Sequence, residues 1–279
     1  MNDTEKFLFD LNGYLKVPDF LTAAEIKALN DAFDANEDKR GDDGNHNPGD
    51  GQALQGQRRR GIFHGMLEWE APHSLPFRAL LAHKKLIPYL DTFFGRGWRM
   101  DHSPFMLCGG EGAEGLILHG STARHFGGAQ YYTYANDQMR CGMIVCAFQL
   151  ADTNEGDGGF CCIPGSHKAN FPLPRAIQLW EEHQEIVYNV PAKAGDMIIF
   201  NEATLHGTLP WKGANERRSL LYRYSPKYLH FAGGTYESTQ PEWVGDLTEA
   251  QQAVLEPPYI YNRPLIEADG ETVIRPRTG

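Results

Sequence analysis

The chain has 279 residues, 41% of them hydrophobic and 22% charged, with a formal net charge of -10 at neutral pH. That balance suits one globular unit over 1–279, because β-barrels and sandwiches with added helices run past 200 residues as single domains. The acidic surplus argues against nucleic acid and anionic membrane partners, and five unevenly spaced cysteines with no CxxC pair suit buried thiols in a reducing compartment better than a disulfide frame.

The opening MNDTEKFLFD has neither the basic stretch nor the apolar run of a secretory leader, and no apolar run long enough to cross a membrane follows, so a soluble, cytoplasmic protein is expected. Gly13 to Pro18 reads as a short extended segment. Thr22 and Glu25 then form a capping-box pattern ahead of Ile26, Leu29 and Phe33, which recur at helical spacing. Residues 37–60 are polar, rich in glycine and without period, which predicts a mobile loop or lid over a site, or plain disorder. Within them Arg58, Arg59 and Arg60 form the chain's basic run, read as a solvated loop edge rather than a phosphate patch. A helical stretch is predicted from about Leu75 to Phe94. Beyond it come MIVCAFQLAD (143–152), GFCCIPGS (159–166), DMIIF (196–200) and RRSLLYRYS (217–225), alternating segments separated by Gly, Pro, Asn and Asp. Short strands of this kind predict a mainly β sandwich or barrel with flanking helices. One helix is expected across Pro172 to Ile186. Another opens at Asp246 and Glu249, inside a carboxyl-terminal extension, 227–279.

Two histidines stand at strand ends: His119 in GLILHGS after an apolar run, and His206 in NEATLHGTLPW after DMIIF. They are far apart in sequence and meet only if the fold joins two strand ends. Taken singly, each is more readily a packed residue than a ligand. Arg217 and Ser219 begin the next strand two residues apart, hence on one face, where an arginine fork and a hydroxyl can clamp a carboxylate. The bland reading of the arginines is an exposed edge.

Several separated blocks carry a resemblance to the phytanoyl-CoA dioxygenase family: GYLKVPDFLTAAEIKAL, GDGGFCCIPGSHK, PAKAGDMIIFNEATLHG and ERRSLLYRYSP, in order, from about residue 10 to 226. The resemblance implies a double-stranded β-helix of the jelly-roll, cupin-like kind. It also implies an iron(II), 2-oxoglutarate-dependent oxygenase that uses molecular oxygen on a small-molecule substrate. By position, His119 and His206 would be the metal ligands and Arg217 the residue that pairs with 2-oxoglutarate, Arg218 being the alternative if the register shifts by one. His167, in GSH, and the glycines at 156, 158, 159 and 165 correspond to turns. Tyr131, Tyr132, Tyr134 and Phe148 are candidate pocket aromatics that a barrel core would also require.

The sequence departs from the family at one point, because His119-Gly120-Ser121 stands where His-x-Asp or His-x-Glu is expected. Either a carboxylate from elsewhere completes the site, with Asp101 and Asp137 as candidates, or the position stays open to chloride or water, as in the related halogenating enzymes. His125 offers a shifted ligand but also lacks the acid. Hydroxylation is the first expectation and halogenation the second. A metal- or ligand-binding scaffold without chemistry is the third.

Overall fold

The computed structural model describes residues 1–44, 51–120, 128–231 and 241–276. Helix α1 (Asp3–Asn12) leads into β1 (Tyr14–Val17), α2 (Ala23–Asp34), β2 (Gly41–Asp42), β3 (Gly61–Phe63), α3 (Leu75–Leu80) and α4 (Ile87–Phe94). The β region follows with β4 (Arg99–Met100), β5 (Phe105–Gly109), β6 (Leu116–His119), β7 (Tyr132–Ala135), β8 (Gln138–Cys141), β9 (Ile144–Gln149) and β10 (Gly159–Cys162). After α5 (Arg175–Gln178) come β11 (Tyr188–Asn189), β12 (Met197–Asn201), β13 (His206–Leu209) and β14 (Arg217–Ser225). Helix α6 (Glu249–Leu255) and the pair β15 (Leu265–Ile266) and β16 (Val273–Ile274) close the described chain.

The larger sheet runs β1-β12-β9-β14-β5-β3-β2, with β4 joined to β14, and the smaller runs β11-β10-β13-β6. Side-chain alternation along the large sheet explains the layering. Ile144, Cys146, Phe148, Met197, Ile199, Leu220, Tyr222 and Tyr224 point to one side and join Phe9, Phe20, Phe33 and Phe77 in the larger core. Val145, Ala147, Ile198, Phe200 and Leu221 point to the other and meet Phe160 and Cys162 of the small sheet. A strand with both faces covered reads as a continuous apolar run, which is why all six residues of β9 are buried.

Thr22 does cap α2, accepting from the Glu25 amide while the Glu25 carboxylate accepts from the Thr22 amide. The helix predicted over Leu75 to Phe94 is two helices, each with a proline in its first turn. Proline is suited to a helix start and unsuited to an interior, so Pro88 begins a new helix rather than continuing the old one. The helix expected across Pro172 to Ile186 shrinks to α5 and a 3-10 turn. At the last helix the cap is Thr248 with Gln251, not Asp246. In the 37–60 segment the described part is structured: β2 pairs with β3, Leu54 is buried, and Arg60, expected at a solvated edge, is 2% exposed and paired with Asp43 at 2.9 Å. The five cysteines are buried and unpaired. No helix among the described residues is long and apolar enough to cross a membrane.

Candidate active site

Strands β6 and β13 are antiparallel neighbours in which His206 lies directly opposite His119. Side chains opposed in this way share a face, and the two imidazoles stand 4.2 Å apart between ring centroids. Each turns Nδ1 to a backbone carbonyl, His119 to Ile117 O at 3.0 Å and His206 to Thr204 O at 2.7 Å. A ring that donates through Nδ1 carries its lone pair on Nε2, the tautomer of a metal ligand with an outer hydrogen bond. Burial pushes the His206 pKa down to about 4, and His119 adds to the effect, so His206 is neutral at physiological pH.

Both histidines line a cavity of about 280 Å³ between the two sheets. Alternation along β14 sends Arg217, Ser219, Leu221 and Arg223 into this space. Arg217 is 6% exposed and makes no ion pair with another side chain among the described residues. Burial, with the nearby Arg60 adding to it, pushes its pKa down to about 10. A guanidinium in that condition is a ready receptor for an anion. Arg218 points the other way, ion-paired with Asp34 of α2 at 2.6 Å and with Glu216 at 2.8 Å. Ser219 accepts a hydrogen bond from the Gln149 side chain at 3.1 Å.

The carboxylate candidates are not in this cavity. Asp101 is fully buried elsewhere, held by Arg99, His102 and the Phe231 amide, and Asp137 lies at the tip of the β7–β8 hairpin. That hairpin borders a larger hollow of about 1050 Å³ shared with α1. Asp10 there is ion-paired with Lys168 at 3.0 Å, and the hollow contains no histidine pair. Chemistry rather than volume therefore identifies the site. Tyr132 and Tyr134 border the larger hollow and Phe148 lies in the larger core, so the aromatic rings that wall the histidine cavity are Phe105, Phe160 and Phe200. His167 sits in a buried 3-10 turn against Asp10 O at 3.0 Å, away from the cavity. Ser121 and His125 lie outside the described residues.

One acidic residue went unnoticed in the sequence. Glu202, in the turn between β12 and β13, has a side chain 6% exposed, with Oε2 3.8 Å from His206 Nε2 and Oε1 3.2 Å from Arg223 Nε. Burial works to raise its pKa, but His206, Arg223 and His119 together outweigh that and hold it below the usual range. The sequence signal was an acid four residues ahead of a candidate ligand, within the turn that delivers it.

Among solved structures, HygX from Streptomyces hygroscopicus with nickel and 2-oxoglutarate bound superposes at a TM-score of 0.66 and 21% identity, covering 83% of this chain and 89% of that one. The same protein with iron bound gives 0.65 at 20% identity, with 83% and 89% covered. The alpha-ketoglutarate-dependent carbocyclase SnoK from nogalamycin biosynthesis gives 0.59 at 14% identity, with 89% and 91% covered. A Stutzerimonas stutzeri protein described as a "Probable alpha-ketoglutarate-dependent hypophosphite dioxygenase" is 25% identical over 230 residues, 76% of this chain and 74% of its own length. The family model for phytanoyl-CoA dioxygenase (PhyH) matches residues 117–219, the stretch that carries both histidines and Arg217. Over residues 117–219 the chain is similar to the phytanoyl-CoA dioxygenase family, and it is an enzyme of the dioxygenase class whose cofactors are iron and 2-oxoglutarate.

Proposed function

We propose that the cavity between the sheets, in a double-stranded β-helix core, holds iron(II) on His119 and His206 and 2-oxoglutarate on Arg217 and Ser219, and that the enzyme hydroxylates a small organic substrate. The observation that carries this reading is the pairing of two needs in one cavity. Two imidazoles present bare Nε2 lone pairs to each other's neighbourhood, and a buried guanidinium lacks an anion. The donor set fits a borderline divalent metal, since neutral imidazole is a good ligand for iron. When bound, the metal would activate dioxygen, one oxygen atom going to 2-oxoglutarate as it is oxidised to succinate and carbon dioxide and the other to the substrate as a hydroxyl.

The chain's own residues bind, orient and exclude water. Ile117 O and Thr204 O fix the ring planes of the two histidines. Arg217 would take the distal carboxylate of 2-oxoglutarate through a charge-assisted fork, with the Ser219 hydroxyl adding a bond on the same face. Phe105, Phe160 and Phe200 keep the walls apolar. Asp42 and Asp43, from the 37–60 segment, line the cavity, and the segment would cover the site as a lid. The volume of about 280 Å³ is at the low end for ligand pockets, so a substrate either is a few atoms in size or reaches in with one arm.

The test is anaerobic titration with iron(II), followed by oxygen exposure with labelled dioxygen. One ion per chain, succinate formed, and label in the product are expected. His206→Ala should lose metal and turnover while keeping the circular dichroism of the parent. Retention of full activity by that variant would overturn the ligand assignment. Consumption of no 2-oxoglutarate would leave only a binding scaffold.

A further inference from the structure

The family pattern leaves this chain one protein ligand short at His119-Gly120-Ser121, and Glu202 stands in the right place to fill the gap. It leaves β12 just as that strand ends at Asn201, in the turn that delivers His206 at the head of β13. The turn is tightly fixed: the Glu202 amide donates to Met143 O at 3.0 Å, the Thr204 amide to Asn201 O at 2.8 Å and the Ala203 amide to Asn201 Oδ1 at 2.7 Å. The carboxylate is thus placed by backbone rather than by a long free tether, and it shares its burial with the histidine beside it.

We propose that Glu202 is the carboxylate ligand of the metal, so that the triad of this enzyme is His119, His206 and Glu202. The inference rests on the metal reading of the two histidines above. The Oε2 to Nε2 separation of 3.8 Å is too long for a hydrogen bond between them. Two ligands about 2.1 Å from a common metal at a right angle stand about 3.0 Å apart. Closing the gap takes under about 1 Å of side-chain movement, within the reach of a modest χ change. No group of three His, Cys, Asp or Glu among the described residues is already drawn around one point, as expected where the ion itself makes the final closure. Arg223 grips the other oxygen, Oε1, and leaves Oε2 facing the histidines. That division suits a monodentate ligand whose second oxygen is anchored by an outer hydrogen bond. The competing role is a plain ion pair with Arg223 that never touches metal.

A carboxylate drawn from the turn also bears on the reaction class. Glu202 supplies the negative charge that a halide would otherwise bring, so the third protein position is filled and hydroxylation is favoured over halogenation.

The experiment uses cobalt(II) as the probe, added anaerobically to the full chain and followed by calorimetry and visible absorption. Wild type should bind one ion, and His206→Ala should not bind. Glu202→Gln should weaken binding by about a hundredfold or more, beyond the usual loss from an outer partner, and should change the ligand-field spectrum. Because Glu202→Gln leaves Arg223 buried without its anion, the double variant Glu202→Gln/Arg223→Met is measured alongside. Equal loss in the double variant, with partial recovery of Glu202→Ala by added formate, supports ligation. Wild-type affinity and an unchanged spectrum in Glu202→Gln, or recovery of binding in the double variant, would overturn the proposal while leaving the two-histidine site standing. Failure of wild type to bind cobalt would overturn the metal reading itself.

Discussion

Replacing Arg217 with methionine should change stability and co-substrate affinity in opposite directions. The guanidinium is buried and pushed from 12.5 down to about 10. Below both values the group is protonated whether the chain is folded or not. The lowered folded value therefore means that the charged form destabilises the native state, by about 3 kcal/mol at about 1.4 kcal/mol per pH unit. Methionine keeps most of the volume without the charge, so the ligand-free protein should gain about 1–3 kcal/mol, as when buried charges are replaced by apolar residues. Loss of the fork leaves a carboxylate buried without its partner, costing about 3–4 kcal/mol, or a hundred- to a thousandfold in 2-oxoglutarate affinity. Thermal melts with and without 2-oxoglutarate read both effects at once. A concentration of 100 Kd stabilises the wild type by about 2.7 kcal/mol, and a hundredfold weaker variant by only about 0.4 kcal/mol. Arg218→Met, which removes ion pairs on the α2 side, should lose up to about 1 kcal/mol and retain the ligand shift. A less stable ligand-free Arg217→Met protein with an undiminished 2-oxoglutarate shift would refute the reasoning.

Three further outcomes are expected. Burial pushes the His167 pKa down to about 4, so folding favours its neutral form and that contribution, present above about pH 6.5, is lost as pH falls toward 4. His167→Gln should flatten the denaturation curve over that window, and an unchanged slope would show that other groups set it. Gly158→Ala puts a Cβ 2.1 Å from Pro210 O at a φ of +90°. It should cost more than about 2 kcal/mol in urea melts, and a neutral result would mean the turn relaxes freely. Turnover in excess chloride and bromide should give hydroxylated product alone by mass spectrometry, whereas a halogenated product would show that the third position is open.

The parts of this molecule that were legible in the sequence are those governed by local periodicity. Thr22 with Glu25 announces α2, and the alternation in RRSLLYRYS separates Arg217 from Arg218 once one face of β14 is known to meet the cavity. Placement across the chain was less legible. Asp101 and Asp137 were reasonable candidates by their nearness in sequence to His119, yet one is consumed by Arg99 and His102 and the other sits on a remote hairpin. Glu202 escaped notice because a single acid in a turn has no period and its meaning depends on Arg223, which arrives on another strand. The helix expected over Leu75 to Phe94 failed for a local reason that was visible, the proline at position 88.

Strand β14 is shared between two tasks by parity. Residues 217, 219, 221 and 223 line the cavity, while 220, 222 and 224 lock the strand to the helical layer, Tyr222 donating to Phe77 O at 2.7 Å and Tyr224 to Leu81 O at 3.1 Å. An evolving or engineered lineage can therefore explore new substrates at Leu221, the apolar cavity position of the strand, provided the replacement keeps its packing against the inter-sheet core. Changes at the intervening even positions act on the scaffold instead, and an insertion of one residue would exchange the two vocabularies at a stroke.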